Sequence, residues 1–454
     1  MIQEAEQPAI RPAFSTTTAP TLDAEATPRR AVGIGMLGMG VVGAGLARVL
    51  RDRAADLAIT VGTPLSIEAI VVQDSDKRRD DDLPLHLVTA DADADAVLDN
   101  PDVDIVVEVI GGVEQALDYV LRAIRSGKHV VTANKDLMAR HGPEILDLAH
   151  EAGVSVLFEA SVGAGTPIVA PLTRSLVANR IAALRGILNG TTNYILTKME
   201  FEGASLEQAL VDAQRLGYAE ADPTSDVAGS DAARKLAILS SLAWGTRVRD
   251  TDVYCEGITR LETRDFECAA QLGYTIKLLA IASEDRGAIR LRVHPALVRK
   301  GTAMASVDGV LNALEIDGDL TGPVLLRGAG AGPASTASAL IADIVEVSRG
   351  IVVGLGRINP VNLDREVTIQ SMVGLKTRHL LRLSVSGGDR IQSDVVQVLR
   401  GEGVIADHAT LDVAKNELVI LTGSVEETVF QRAILGLRLL DGVREVCSAI
   451  RVED

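Results

Sequence analysis

Aromatic side chains are nearly missing from this chain. Phe, Tyr and Trp together supply 2% of 454 residues, so its cores must be packed from aliphatic groups. Cysteine is as scarce. Cys255, Cys268 and Cys447 are scattered and odd in number, which excludes a disulfide framework and suits reduced thiols in a cytoplasmic protein. The seven histidines form no ligand-spaced cluster, which argues against a zinc site. No apolar run is long enough to cross a bilayer, so no membrane partner is expected. Positive charge is also short. Against 62 Asp and Glu stand 45 Lys and Arg, a net charge of −17, and no basic stripe offers itself to nucleic acid. What the chain has is length and apolar content. At 47% hydrophobic it can bury the cores of two or three domains.

Residues 1–30, rich in Ala, Thr, Pro and Glu, lack apolar periodicity and read as a disordered tail. They lack the apolar core of a secretory signal, and Glu4, Glu6, Asp23 and Glu25 argue against a transit peptide. Order is expected from Ala31. The run AVGIGMLG reads as a strand that ends in Gly38, Met39, Gly40, Val41, Val42 and Gly43, with a helical pattern through Leu50. Between strand and helix this spacing is a dinucleotide fingerprint. Gly38 allows the tight turn, Gly40 admits a pyrophosphate against the backbone, and Gly43 lets the helix pack on the strand. The helix amino terminus then attracts the phosphates.

After an insertion at 51–64, a second strand is expected at 65–73, closed by Asp74 and followed by Lys77, Arg78 and Arg79. An acid there would hold the ribose hydroxyls of NAD, and a basic group the 2′-phosphate of NADP. Both are present, so the choice of cofactor stays open, as does the reading of the basic run as a solvated loop. Residues 102–112, DVDIVVEVIGG, read as a buried parallel strand whose end at Ile110, Gly111 and Gly112 faces the cofactor. A helix at 113–126 and a strand at 129–132 lead to Ala133, Asn134 and Lys135. On its own, Lys135 reads as a surface lysine in a βα loop.

The most informative stretch is 189–242. Glu220, Asp226, Asp231 and Lys235 follow one another there, and an apolar-periodic helix begins near Ala232. Asp226, Ser230 or Asp231 can serve as its amino-terminal cap. Asp231 and Lys235 are four apart and share a face. By spacing alone they make a surface ion pair as readily as a pocket. Leu236, Ile238, Leu239 and Leu242 suggest burial, and a lysine against an apolar wall loses its proton more easily.

The segments NGTTNYIL, GYAEADPTSDVAGSDAARKLAIL and VVTANKDL closely resemble homoserine dehydrogenase. The resemblance implies interconversion of L-aspartate 4-semialdehyde and L-homoserine with NAD or NADP. It places Glu220, Asp231 and Lys235 in the substrate pocket, Asp226 beside them, and Lys135 near substrate and nicotinamide. Lys235 and Lys135, with Asp231, are the implied catalytic groups. The loop 158–167 resembles the family's monovalent-cation loop, which implies Na+ or K+ held by Glu159 and the carbonyls of Val162, Ala164 and Thr166. Gly332, before a helix through Val347, is an implied cofactor contact.

The expected fold is α/β. A Rossmann-type nucleotide-binding domain spans 31–160 with a return segment at 321–350, and an α+β substrate and dimerisation domain spans 161–320. The carboxyl-terminal unit, 375–454, reads strand, helix, strand, strand, helix, strand, a ferredoxin-like order. It resembles the ACT domain. Its first turn, 386–393, departs from ligand-binding ACT domains, because Gly387 and Gly388 precede Asp389 instead of following it. A poor response to threonine is expected there. A homo-oligomer, dimer or tetramer, is implied by analogy. Two alternatives remain: a non-catalytic nucleotide and amino-acid sensor, and a related amino-acid aldehyde dehydrogenase or reductase. The two lysines and three acids count against the sensor. A lean towards NADP rests on Lys77 and Arg78.

Overall fold

The computed structural model describes residues 30–75, 77–80, 82–90, 94–358, 360–388 and 390–453. Of the expected tail, 1–30, residues 1–29 lie outside them, and so does Asp389.

The first sheet has six parallel strands: β1 (Val32–Leu37), β2 (Leu65–Val72), β3 (Val88–Ala90), β4 (Ile105–Glu108), β5 (His129–Thr132) and β6 (Val156–Leu157). Their order is β3-β2-β1-β4-β5-β6. β1 and β4 are buried at every position because helices cover both faces, which is why both read as unbroken apolar runs. Helices α1 (Val41–Asp52) and α2 (Ala54–Val61) lie on one side. Helices α3 (Asp95–Leu98), α4 (Glu114–Arg125) and α5 (Lys135–Ala152) lie on the other. The insertion at 51–64 is thus mostly α2. The chain order reverses between β1 and β4, and that is where a ligand crevice forms in such sheets.

The second sheet is mixed and has twelve strands. Its first part holds β7 (Ile181–Ile187), β8 (Tyr254–Cys255), β9 (Tyr274–Asp285), β10 (Ala288–Arg299), β11 (Leu311–Gly318) and β12 (Gly322–Ala329). Helices α6 (Gly190–Glu202), α7 (Leu206–Arg215), α8 (Thr224–Val227), α9 (Ser230–Trp244) and α10 (Thr263–Gln271) belong to the same part. α9 packs between α5 and this sheet, so one core joins the two domains. The segment 321–350 divides. β12 stays in the second sheet beside β11, and α11 (Pro333–Val352) crosses back to pack on α1. The expected cap of α9 is corrected. Its amino-terminal cap is Gly229, at φ +84°, with no side-chain bond. Asp226 and Asp231 are bonded by Asn189 instead, and the Ser230 hydroxyl donates to the Ser225 carbonyl.

A short strand, β13 (Thr368–Gln370), pairs with β10, and β14 (Lys376–Val385) follows. After them come α12 (Arg390–Gly401), β15 (Ala406–Asp412), β16 (Glu417–Thr422), β17 (Val425–Glu426), α13 (Glu427–Arg438) and β18 (Val443–Glu453). The order β18-β14-β16-β15 is that of a ferredoxin-like sheet. β14 starts with Lys376 and Thr377, which pair with Glu426 and Val425 of β17. This small sheet is continuous with the large one. β18 runs parallel to β10, with Ala296 opposite Arg451 and Val298 opposite Glu453.

Candidate active site

The glycines after β1 form the expected turn. Gly38 has φ +104°, and a Cβ there would sit 2.8 Å from the Val109 carbonyl oxygen. A Cβ on Gly43 would sit 2.5 Å from the Gly38 carbonyl oxygen. On Gly40 it would meet nothing within 4 Å, so this face of the turn is open space. α1 has no side-chain cap, and the amides of Val41, Val42 and Gly43 are first-turn donors. The Met39 side chain is buried in the core, which leaves only its backbone for a cofactor. Gly332 caps α11 at φ +127°, where α11 meets α1 near Gly45.

At the end of β2, Asp74 is spent on the turn. Its carboxylate accepts the Lys77 amide at 3.1 Å, and its carbonyl accepts Arg79 at 2.8 Å. Arg79 holds the loop, while Lys77 and Arg78 remain exposed. Beyond β4, Ile110 and Gly111 donate to the buried carboxylate of Glu108, and so does the Thr132 hydroxyl at 2.5 Å. Burial pushes the Glu108 carboxyl up, against these bonds. The sequence reading missed Glu108. Its trace was an acid closing the apolar run DIVV.

Lys135 is the first residue of α5, placed there by Asn134. The Asn134 side chain accepts the Leu137 amide at 3.0 Å and donates to the Gly112 carbonyl at 2.7 Å. Opposite lies the first turn of α9. Asp231, only 2% exposed, meets Lys135 at 2.6 Å through one oxygen and Lys235 at 2.9 Å through the other. Lys235 also donates to the Leu188 carbonyl at 2.8 Å, so polar partners stand where an apolar wall was expected. Next to this triad Arg234 pairs with Asp136 at 2.8 Å and ties the same two helices.

Asn189 is the second residue the sequence reading overlooked. Its single amide nitrogen donates to Asp226 at 2.7 Å and to Asp231 at 2.9 Å. Its oxygen caps α6, accepting the Thr192 amide at 2.8 Å and hydroxyl at 2.9 Å, which fixes which end of the amide faces the acids. The available signal was an asparagine before a helix, a preferred cap. Burial alone would lift the Asp231 carboxyl. The Lys235 and Lys135 charges and the Asn189 bond outweigh it and hold Asp231 well below the usual carboxylate range. Burial alone would lower the Lys135 ammonium, but Asp231 raises it. Asp226 is pushed up by burial and by the Asp231 charge, against the Asn189 bond.

Glu220 stands apart. It is exposed, and its carboxylate pairs with no group among the described residues. Glu159 is buried, with carboxylate oxygens that accept the amides of Ile168, Val169 and Ala170 at 2.5, 2.9 and 2.7 Å. Nearby, Ala164 adopts φ +45° and the Thr166 hydroxyl is buried without a partner.

The site thus comprises an open glycine turn, two ammonium groups on one buried acid, and a second carboxylate tied to the first. It can hold a dinucleotide and an amino-acid-sized anion, and it can supply a proton.

A family model described as "Homoserine dehydrogenase, NAD binding domain" matches residues 38–159, and one described as "Homoserine dehydrogenase" matches 167–345. A homoserine dehydrogenase of Corynebacterium glutamicum is 40% identical over 97% of this chain and 100% of its own length. A crystal structure of a homoserine dehydrogenase from Thiobacillus denitrificans superposes with a TM-score of 0.87 at 40% identity, covering 93% of this chain and 98% of that one. A hyperthermophilic archaeal homoserine dehydrogenase in complex with NADPH matches with a TM-score of 0.60 at 27% identity, over 70% of this chain and 98% of that one.

Proposed function

The chain belongs to the homoserine dehydrogenase family, NAD(P)-dependent oxidoreductases that interconvert L-aspartate 4-semialdehyde and L-homoserine, and from this premise we propose that Lys135, Asp231 and Lys235 form its catalytic centre. The observation that carries the proposal is one acid, 2% exposed, bonded to both ammonium groups. The nicotinamide, when bound, supplies the hydride to the aldehyde carbon. Lys235, 10% exposed, gives the proton to the developing alkoxide. Lys135, 38% exposed, holds the substrate carboxylate as a point charge. Asp226 and the exposed Glu220 receive the substrate ammonium. Asp231 aims both lysines, and its charge raises the Lys135 ammonium. The test is reduced-nicotinamide absorbance on mixing purified protein with homoserine and either cofactor. A folded protein that turns over with wild-type kcat after loss of Lys235 ends the proposal for that residue.

For the cofactor, we propose a preference for NADP. Lys77 and Arg78 are exposed beside the crevice, while Asp74 is committed to its own turn. The pyrophosphate rests on Gly40 and the first amides of α1, with Ile110, Gly111 and Gly332 around it.

A monovalent cation fits the loop at 159–166. A carboxylate has about four lone-pair sites. Three on Glu159 are used by backbone amides, and the free Thr166 hydroxyl lies in the same loop as the carbonyls of Val162, Ala164 and Thr166. Activity that does not change when K+ and Na+ are replaced by a bulky organic cation removes this element.

We further propose that the ferredoxin-like unit is an ACT-like domain, that the enzyme is a homodimer or homotetramer, and that it works in the cytoplasm. The three cysteines are free, and no helix among the described residues is long and apolar enough to cross a membrane. Family membership sets aside the sensor reading.

A further inference from the structure

Glu108 closes β4 and is fully buried, yet its carboxylate pairs with no lysine or arginine among the described residues. Its partners are neutral donors, and its two oxygens divide them. Oε1 accepts the backbone amides of Ile110 at 3.0 Å and Gly111 at 3.4 Å. Oε2 accepts the Thr132 hydroxyl at 2.5 Å. A carboxylate taken out of water without a counter-charge costs stability, and a valine would end a parallel strand more cheaply. An acid at such a place calls for a task other than holding the sheet together.

The Oε1 side faces the cofactor crevice. The loop after β4 leaves the sheet where the chain order reverses. A Cβ on Gly38 would sit 2.8 Å from the Val109 carbonyl oxygen, so this loop abuts the glycine turn after β1. Gly111 and Gly112 adopt φ +75° and +73°, and a Cβ on either would meet nothing within 4 Å. The outer face of the loop is therefore open, and its inner amides are tied down by Glu108.

The Oε2 side faces the start of α5. Thr132 is the partner of Glu108 across the β4–β5 ladder. The Thr132 hydroxyl oxygen accepts the Asn134 amide at 3.0 Å. Asn134 caps α5, whose first residue is Lys135, and its side chain donates to the Gly112 carbonyl at 2.7 Å. Glu108, Thr132, Asn134 and the loop 110–112 thus close one circuit of hydrogen bonds. Neither the loop nor the cap can move without breaking a bond in it.

We propose that Glu108 is a positioning residue for the reaction: its two oxygens hold the cofactor loop and the Lys135 turn in one fixed relation. Cofactor and substrate carboxylate are then presented to each other by a single buried group. The proposal rests on the reading of 110–111 as a cofactor contact and of Lys135 as a substrate group.

The experiment follows four full-length proteins: wild type, Glu108→Ala, Glu108→Gln and Thr132→Val. Kd for NADPH and for NADH is read from reduced-nicotinamide fluorescence, KM and kcat from homoserine oxidation, and stability from chemical denaturation. Glu108→Ala should weaken binding of the reduced cofactor by about tenfold or more, the effect of losing amide bonds to a charged acceptor, and should raise KM for homoserine. In Glu108→Gln the amide oxygen still accepts the loop amides, and its nitrogen donates to the Thr132 hydroxyl oxygen. This variant should recover most of the cofactor affinity, with a denaturation midpoint at or above that of wild type, because the buried charge is gone. Thr132→Val cuts only the path to Asn134. It should raise KM for homoserine by about tenfold and leave the cofactor Kd nearly unchanged.

A folded Glu108→Ala protein with wild-type cofactor Kd overturns the proposal. A Gln variant as impaired as the Ala variant overturns it too, since charge and not placement then matters. A lowered midpoint in Glu108→Gln, with Kd and KM per folded molecule unchanged, would return Glu108 to a structural role. Should Glu108→Ala not fold, Glu108→Gln and Thr132→Val still decide. Wild-type homoserine KM in Thr132→Val overturns the link to Lys135, provided Lys135→Ala raises that KM. If Lys135→Ala leaves it unchanged, the reading of Lys135 falls instead, and the cofactor Kd of the Glu108 variants still decides the loop.

Discussion

Two buried ionic clusters sit at opposite borders of the substrate domain, and they are built from opposite materials. At the nucleotide-binding side an acid, Asp231, is gripped by two lysines. At the carboxyl-terminal side an arginine, Arg382, is gripped by Asp265 at 2.7 Å, Glu262 at 2.7 Å and Glu417 at 3.4 Å. Ser448 also bonds Asp265, and Arg264 bonds Glu417. An ammonium is a compact charge that can surrender its proton. A guanidinium offers a rigid fork of donors and keeps its proton at any accessible pH. The first cluster is open on one side, where Lys135 reaches solvent. In the second the central pair is buried, Arg382 and Asp265 at 5% and 1% exposure, and only the outer acid Glu262 reaches solvent. One cluster is built from groups that can exchange a proton, the other from a group that does not.

The sharpest test of that contrast is Lys235. Lys235→Ala should lower kcat by about a hundredfold to ten-thousandfold, the range for loss of general acid catalysis, measured at saturating homoserine. Lys235→Arg keeps the charge but should not restore the rate. An active Arg variant would break the distinction between the two clusters. Arg382→Ala should do the reverse. It leaves Asp265 buried without its partner, which costs about 3–5 kcal/mol in chemical denaturation, with kcat per folded molecule unchanged.

Asn189 comes next. Asn189→Ala removes two bonds to charged acceptors, each worth about 1.5–3 kcal/mol, and should lower kcat/KM by about ten- to a hundredfold. It should also move the acid limb of the pH–rate profile upward, because Asp231 loses part of what depresses its pKa. In the intact enzyme the folded-state pKa of Asp231 lies below its unfolded value. Its contribution to stability is therefore present above the ordinary carboxylate range and lost only as pH falls through the depressed folded value. The stability gap between wild type and Asp231→Asn should thus stay constant from about pH 7 to pH 5, read by denaturant titration. The smallest effect is at the cofactor. Replacing Lys77 and Arg78 by alanine should raise KM for NADP by about tenfold and leave KM for NAD nearly unchanged. Equal changes would return the basic run to a solvated loop.

Much of this was legible in the sequence because it is local. The strand at 129–132, the helix after Gly40 and the ferredoxin-like order follow from periodicities of two and 3.6 and from turn residues. Asp231 and Lys235 are four apart, within the reach of that reasoning. What escaped is long-range. The Asn189 bonds to Asp226 and Asp231 span 37 and 42 residues, and the bond from Arg382 to Asp265 spans 117. The cap of α9 escaped for a related reason, because the side chains available for capping were drawn inward by distant partners. Glu108 lay inside the expected strand 102–112, and only the fold turns Thr132 towards it.

The parallel register of β18 on β10 sets the order in which the molecule can finish. β13 and β8 cover the first half of the β10 edge, Arg451, Val452 and Glu453 cover the stretch Ala296–Val298, and Arg292 meets Glu453 across 161 residues of chain. Until those last residues arrive, the stretch Ala296–Val298 is an open template for any passing strand, the hazard that edge strands carry. Contacts so distant in sequence also form late and slow the whole process. A nascent chain emerging from the ribosome therefore holds a nearly complete catalytic domain with one raw seam. Premature termination anywhere in the final strand should yield a sticky, aggregation-prone species rather than a trimmed enzyme.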